Sequence, residues 1–336
     1  MDRRNFTAIS LATLLAPLPR ISLAEQIKPE LPGFQEAEIK DNRLSKRSAG
    51  MATGRTLVDD ETLFQVASCS KTVTALAILT LVRDGKIDLD QPANKYLTQW
   101  QLAGSRGALA TIAELMSHTA GTTVSGFGGY GPDEEIPNLI DILSGRHPAN
   151  SGAVRARRRL FGQFKYSGGG TMVLQALIED VTGQDFATYT KSAVLNPIGS
   201  PNATFSMRPE AAFAHGYHED GHPLRGGYRR HPESAAAGLW ATASDLARVM
   251  QAILDALKGE SNAIIPIPLA KRMVSPLSRQ SALGVFVSPN NTIWHHGRNH
   301  GFDSVMVADL NSGRIRTAVT NRNGAIESYA RQLVPD

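Results

Sequence analysis

Phe64-Gln65-Val66-Ala67-Ser68-Cys69-Ser70-Lys71-Thr72-Val73-Thr74-Ala75-Leu76 is the stretch on which the fold turns. An extended apolar approach runs into Ser-x-x-Lys, and a helix is predicted at once from Lys71 to Leu81. Val73, Leu76, Ala77, Ile78, Leu79 and Leu81 make that helix apolar almost all round, the pattern of a helix buried in the middle of a fold. Residues three apart share a helical face, which puts the Ser68 hydroxyl beside the Lys71 ammonium. In the first turn, free backbone N–H groups and the positive end of the helix dipole favour developing negative charge. A serine needs such help, because its hydroxyl is a weak nucleophile until a neighbouring base takes the proton. Taken alone, the pair reads more readily as an N-cap serine with a solvated lysine one turn on, since a chance Ser-x-x-Lys is expected on the order of once in such a chain.

Outward from this helix, the chain alternates turns with amphipathic segments. Asp84-Gly85 and Asp88-Leu89-Asp90-Gln91-Pro92 open a loop-rich region. Thr111-Ile112-Ala113-Glu114 is a capping box leading into Leu115-Met116-Ser117-His118-Thr119-Ala120-Gly121. Gly126 to Pro132 is glycine-rich and reads as a loop. A second helix is predicted from about Thr171 to Val181, stopping at Gly183, and a third from near Phe186 to before Pro197. Thr242-Ala243-Ser244-Asp245 caps a helix whose Leu246, Val249, Met250, Ile253 and Leu257 keep the 3.6-residue period to Gly259. Gly284 to Val287, Ser304 to Leu310 and Arg314 to Thr320 read as strands, with Asn311-Ser312-Gly313 as a turn and Ile326 to Leu333 as a closing helix. Near the other end, Glu25 to Asp60 is polar and mixed, with Ser48 to Ala52 its best piece of strand. Strands near both ends with helices between them predict an α/β (α+β) fold: an antiparallel sheet flanked by helices, with a largely helical insertion roughly over 85–240.

Composition narrows the class. The 336 residues are 42% hydrophobic and 20% charged, as expected of a globular enzyme. The net charge of +4 is modest, and the run Arg155, Arg157, Arg158 and Arg159 has no interleaved aromatics, so no nucleic-acid partner is expected. The single cysteine, Cys69, excludes an intrachain disulfide and reads as a small buried filler. At the N-terminus, Arg3-Arg4, the apolar Phe6 to Leu18 and Ser22-Leu23-Ala24 predict an export signal over 1–24, of twin-arginine type, and so a periplasmic or secreted protein. Its apolar part is too short to span a bilayer, and no stable membrane insertion is expected.

Two further clusters hold chemistry-bearing residues: Phe164-Lys165-Tyr166-Ser167-Gly168-Gly169-Gly170, and Trp294-His295-His296-Gly297-Arg298-Asn299-His300-Gly301-Phe302. Each alone reads as a packed tyrosine or a histidine-rich loop. With Ser68-x-x-Lys71, in this order and at these separations, they resemble the serine hydrolases that include class C β-lactamases, D-alanyl-D-alanine carboxypeptidases and family VIII carboxylesterases. The resemblance runs from about residue 46 to 325 and takes in Thr62 to Ser68, Asp84 to Asp90, Ser117 to Gly121, Ala237 to Thr242 and Thr320-Asn321. It implies a cleft between sheet and helical domain, an acyl-enzyme on Ser68, Lys71 as its one-turn neighbour and Tyr166 as general base. A phenol with pKa near 10 serves as a base at neutral pH only if a cation lowers it. In place of Lys-Thr-Gly stands His295-His296-Gly297, similar to the His-x-Gly of the peptidases and some esterases. The resemblance further implies an oxyanion hole from the backbone N–H groups of Ser68 and Arg298, substrate contacts at Gly168, His296 and Gly297, and no cofactor.

Gly168 departs from the family's pattern, which has asparagine two residues after the tyrosine. That amide helps to hold a substrate amide, so a small carboxylic ester is expected to suit the site somewhat better than a β-lactam or D-Ala-D-Ala amide. Two rivals remain: a penicillin-binding or sensor module that acylates without turnover, and a metal-dependent hydrolase built on His215, His218 and His222. The second lacks any H-E-x-x-H.

Overall fold

The computed structural model describes residues 33–157, 163–326 and 329. The expected export signal over 1–24, Arg158, Arg159 and most of the closing helix fall outside the described residues.

The chain enters on β1 (Gly33–Lys40) and returns on β2 (Arg43–Gly50), turning through Asp41 and Asn42, both at positive φ. β2 shows no binary patterning, and β1 alternates only over its second half. β1 carries Glu36 and Glu38 on one face, and Gln35, Ala37 and Ile39 on the other. β2 is an almost wholly exposed edge strand rich in Lys and Arg, which guard an open edge against pairing with other chains. The strand predicted at Ser48 to Ala52 is therefore only the end of a longer one, and β1 is a strand that hydrophobic periodicity misses. The short β3 (Phe64–Gln65) leads to a tight turn at Ala67–Cys69 and then to α1 (Ser70–Arg83). All twelve residues from Ser70 to Leu81 are buried, as the all-round apolar pattern requires.

From Arg83 to Ser234 the described chain is loops and helices. α2 (Ile112–Met116) starts at the Thr111 capping box, and α3 (Leu139–Ser144) at the Asn138 cap. α4 (Gly168–Thr182) starts at Ser167, whose hydroxyl accepts from Gly170 N, and stops at Gly183. α5 (Phe186–Thr190) continues as a wider turn through Lys191–Leu195, so the helix predicted there ends before Pro197. The short α6 (Ser234–Ala237) leads to β4 (Trp240–Ala241), which pairs with β3, and to α7 (Ala243–Lys258), with Thr242 and Asp245 closing a capping box. α8 (Ile267–Met273) precedes the return to the sheet.

β5 (Phe286–Ser288), β6 (Thr292–Asn299), β7 (Phe302–Asp309) and β8 (Ile315–Thr320) complete it. The six strands run antiparallel in the order β2-β1-β8-β7-β6-β5, so the first strand described pairs with the last. This is the mixed α/β fold expected, an antiparallel sheet flanked by helices. One face packs α7 through Ala37, Ile39, Met306, Ala308 and Val319 into the main core that also holds α1. The other buries Phe34, Val305, Val307, Ala318, Ile326 and Tyr329. Among the described residues no helix is long and apolar enough to cross a membrane.

Candidate active site

Ser68 sits in the tight turn just ahead of α1, with the alanine before it in the left-handed region at φ 48°. Such strain in a non-glycine residue persists only where its surroundings hold it, and it gathers at functional sites. His118 (φ 60°), Val124 (φ 63°) and Arg279 (φ 47°) share it, and all three stand at or beside the same cleft. The turn is pinned from behind. Val66 O accepts from Cys69 N at 3.1 Å and from Ser304 Oγ at 2.8 Å, while Val66 N donates to Leu239 O at 3.0 Å.

Lys71 lies one turn on, its side chain buried. Nζ donates to Ser68 Oγ at 3.1 Å and to Ala236 O at 2.6 Å. The second acceptor is a carbonyl of α6, so the helical part and α1 fix the ammonium between them. The same Nζ lies 5.0 Å from the centre of the Tyr166 ring. Tyr166 is half-buried on the loop that enters α4, against His118 at 4.5 Å between ring centres. The three polar groups singled out in the sequence therefore converge.

The sheet contributes its open edge. β5 pairs with β6 only as far as Trp294, so β6 from His295 onward is uncovered on that side and lies against the Ser68 turn. Gly297 makes this approach possible: a Cβ there would come within 2.3 Å of Val66 O and 2.8 Å of Ser68 N. Alternation along β6 exposes His296 and Arg298 and buries His295. Arg298 is held bidentately by Asp303, Nε to Oδ1 at 2.8 Å and Nη2 to Oδ2 at 3.1 Å.

His295 lies beneath the cleft rather than in it. Burial, and then the nearby Lys71 charge, hold its imidazole well below the usual range, hence neutral at working pH. Its Nδ1 donates to His296 O at 2.7 Å, which leaves the proton on Nδ1. Unlike the lysine of Lys-Thr-Gly, it adds no positive charge. Burial likewise pushes the Cys69 thiol up to about 12, so this cysteine is the inert filler expected.

The cleft has a volume of about 740 Å³. Ser68, Lys71, Tyr166 and Gly168 line it together with the aromatic residues Phe127, Phe164, Phe286 and Trp294, of which Phe164 and Phe286 meet edge to face at 5.9 Å between ring centres. No acidic side chain is among its described lining residues. Gly168 is not bordered by empty space. A Cβ there would meet the Phe127 ring at 3.0 Å and 3.2 Å, so an aromatic face stands where the family's asparagine would project.

Sequence reasoning passed over Phe127, Ala236 and the position of His118. The Ser117-His118-Thr119 motif is visible in sequence, but nothing there says that its ring lies against Tyr166. A backbone carbonyl such as that of Ala236 leaves no signature in residue type at all. His218 and His222 close a turn in which His218 N donates to His222 O, while His215 lies outside it with its N donating to Ala52 O. Among the described residues, no group of three or more His, Cys, Asp or Glu side chains is placed to hold a metal.

The fold thus brings Ser68, Lys71 and Tyr166 together at one cleft. The chain matches the Beta-lactamase family over residues 21–334 and belongs to it. It is 31% identical over 195 residues to Esterase EstB of Burkholderia gladioli, covering 54% of this chain and 48% of the esterase. To a Beta-lactamase of Pseudomonas fluorescens it is 26% identical over 201 residues, covering 58% of this chain and 52% of the other. The chain thus spans about half the length of each of these relatives. In structure it is similar to the octameric penicillin-binding protein homologue from Pyrococcus abyssi, with a TM-score of 0.74 and 22% identity over 93% of this chain and 75% of that one.

Proposed function

We propose that the chain is a serine hydrolase that cleaves small carboxylic esters through an acyl-enzyme on Ser68. The observation that carries this reading is the contact of Lys71 Nζ with Ser68 Oγ at 3.1 Å, with the Tyr166 ring on the same ammonium, in the lining of an open cleft. Tyr166, beside the Lys71 ammonium, takes the proton as Ser68 Oγ bonds to the substrate carbonyl carbon. The backbone N–H groups of Ser68 and Arg298 receive the oxyanion. Collapse breaks the carbon–oxygen bond to the leaving alcohol, which departs with the proton from Tyr166. Water, deprotonated by the same tyrosine, then releases the acid. Gly168, His296 and Gly297 contact the substrate, and neutral His295 supports Tyr166 and the β6 edge from below.

Gly168 and Phe127 favour esters over amides. The site offers an aromatic face where a side-chain amide would pair with a substrate amide, and an ester does not need that pairing. The rival readings, a β-lactamase or D-alanyl-D-alanine carboxypeptidase and a penicillin-binding or sensor module without turnover, share every polar group of the cleft. A panel of short p-nitrophenyl esters, a chromogenic cephalosporin and a D-Ala-D-Ala peptide separates the three. The expected result is multiple turnovers on the esters and slow or single acylation by the cephalosporin. Efficient cephalosporin clearance with no ester hydrolysis would overturn the ester preference.

A further inference from the structure

His118 grips the tyrosine from both sides. Its carbonyl accepts from Lys165 N at 2.9 Å, and its Nδ1 accepts from Ser167 N at 3.3 Å. The two residues flanking Tyr166 are therefore bonded to one histidine, whose ring also packs on the phenol at 4.5 Å. That second bond needs a lone pair on Nδ1, so the proton of the neutral ring sits on Nε2. Burial, together with the Lys71 charge, lowers the imidazole to about 3, which keeps that lone pair available at any working pH.

The histidine is itself held firmly. It is only 4% exposed and stands at φ 60°, a conformation a side chain keeps only when its surroundings require it. The residues around it are tied to the cleft wall: Gly284 N donates to Met116 O at 3.1 Å, and Ser281 Oγ to Ser117 O at 2.6 Å. The Gly284 carbonyl in turn accepts from Thr72 Oγ1 at 2.7 Å, on the turn of α1 that carries Lys71. A continuous set of bonds thus joins the helix of Lys71 to the loop of Tyr166, with His118 as its last member.

We propose that His118 is a positioning residue for the reaction, fixing the Tyr166 phenol against Lys71 and Ser68 by accepting the Ser167 N–H. This rests on the reading of Tyr166 as general base. Charged and titratable groups facing the phenol are Lys71 from α1, His118 and, at 6.4 Å between ring centres, His295 from β6. Of these only His118 is bonded to the tyrosine's own loop in the described contacts.

The test compares two variants of the full chain. In His118→Asn the side-chain oxygen takes the place of Nδ1, and asparagine tolerates positive φ well. In His118→Gln the oxygen lies one bond further out, where Ser167 N cannot reach it. On a p-nitrophenyl ester, His118→Asn is expected within about threefold of wild type, the loss of ring packing being small beside a retained hydrogen bond. His118→Gln is expected to lose about a hundredfold in kcat, the scale of a misplaced catalytic group, with KM little changed. Melting temperature confirms folding, and His118→Gly, which adopts φ 60° freely and has no acceptor, replaces the Gln variant should that not fold. Equal activity of the Asn and acceptor-less variants, whether both high or both low, overturns the proposal. Tyr166→Phe is run alongside. If it keeps wild-type activity, the reading of Tyr166 as base falls; if it is slow while His118→Gln is not, only the role of His118 falls.

Discussion

Gly297 is the residue at which the sheet touches the Ser68 turn. No side chain larger than hydrogen fits between β6 and the Ser68 turn, with Val66 O at 2.3 Å from a Cβ there, Ser304 Oγ at 2.7 Å and Ser68 N at 2.8 Å. Two of these neighbours are backbone atoms of a strained turn, which cannot swing aside. Gly297→Ala is therefore expected to destabilise the fold by about 1–3 kcal/mol, the usual scale of overpacking. It should also push the Ser68 N–H out of place, costing about a hundredfold or more in ester hydrolysis. Denaturant unfolding and steady-state kinetics on the one variant check both parts. Gly297 was legible as a motif residue, but its reason was not: the close approach joins positions more than two hundred residues apart, which one-dimensional spacing does not encode.

At the scale of elements, the N-terminus of α4 meets the Ser125 to Phe127 loop. Gly168 N donates to Ser125 O at 3.0 Å and Gly169 N to Val124 O at 2.9 Å, so the loop is bonded along the helix start. Restoring asparagine at Gly168 therefore runs into the Phe127 ring, and Gly168→Asn alone is expected to gain little acylation by cephalosporin. With Phe127→Ala added, the amide has room, and the pair should gain up to about tenfold in β-lactam acylation relative to ester hydrolysis, one neutral hydrogen bond's worth. Stopped-flow acylation of the single and double variants decides this, and a double variant no better than wild type would contradict it. Elements with internal periodicity were readable from sequence. α1 is apolar all round, α7 is amphipathic, and β7 and β8 are apolar runs separated by Asn311-Ser312-Gly313. β1 and all of β2 before Ser48 were not, because β1 sits between two strands with glutamates on one face and β2 is a charged edge. Their strand character comes from pairing with β8 and with each other, a tertiary cause that overrides local pattern.

At the scale of the whole molecule, stability should carry a signature of one buried acid. Glu233, just ahead of α6, is fully buried, and neither carboxylate oxygen has a hydrogen-bond partner among the described residues. His231 Nδ1 stands 3.9 Å away, too far for a hydrogen bond, and burial lowers that imidazole to about 3. The two are thus a buried pair that avoids charge rather than a salt bridge. Burial pushes the Glu233 carboxyl up to about 7. A carboxyl raised on folding contributes stability that is fully present below its unfolded pKa, near 4.5, and is lost as pH rises through about 7. Against wild type, Glu233→Gln should therefore gain relative stability between pH 5 and pH 8, by up to about 1.4 kcal/mol per pH unit. Urea midpoints of both proteins at those two pH values measure it, and parallel curves would place the ionisation elsewhere. Every role proposed for the cleft depends on an acyl group bonded to Ser68 Oγ. The most direct test of that bond is intact mass and peptide mapping of the full chain, quenched soon after mixing with a fluorophosphonate or a slowly released ester. One added mass is expected on the peptide bearing Ser68 and none in a folded Ser68→Ala variant; an adduct on another residue, or undiminished labelling of that variant, would rule Ser68 out as the acylated residue.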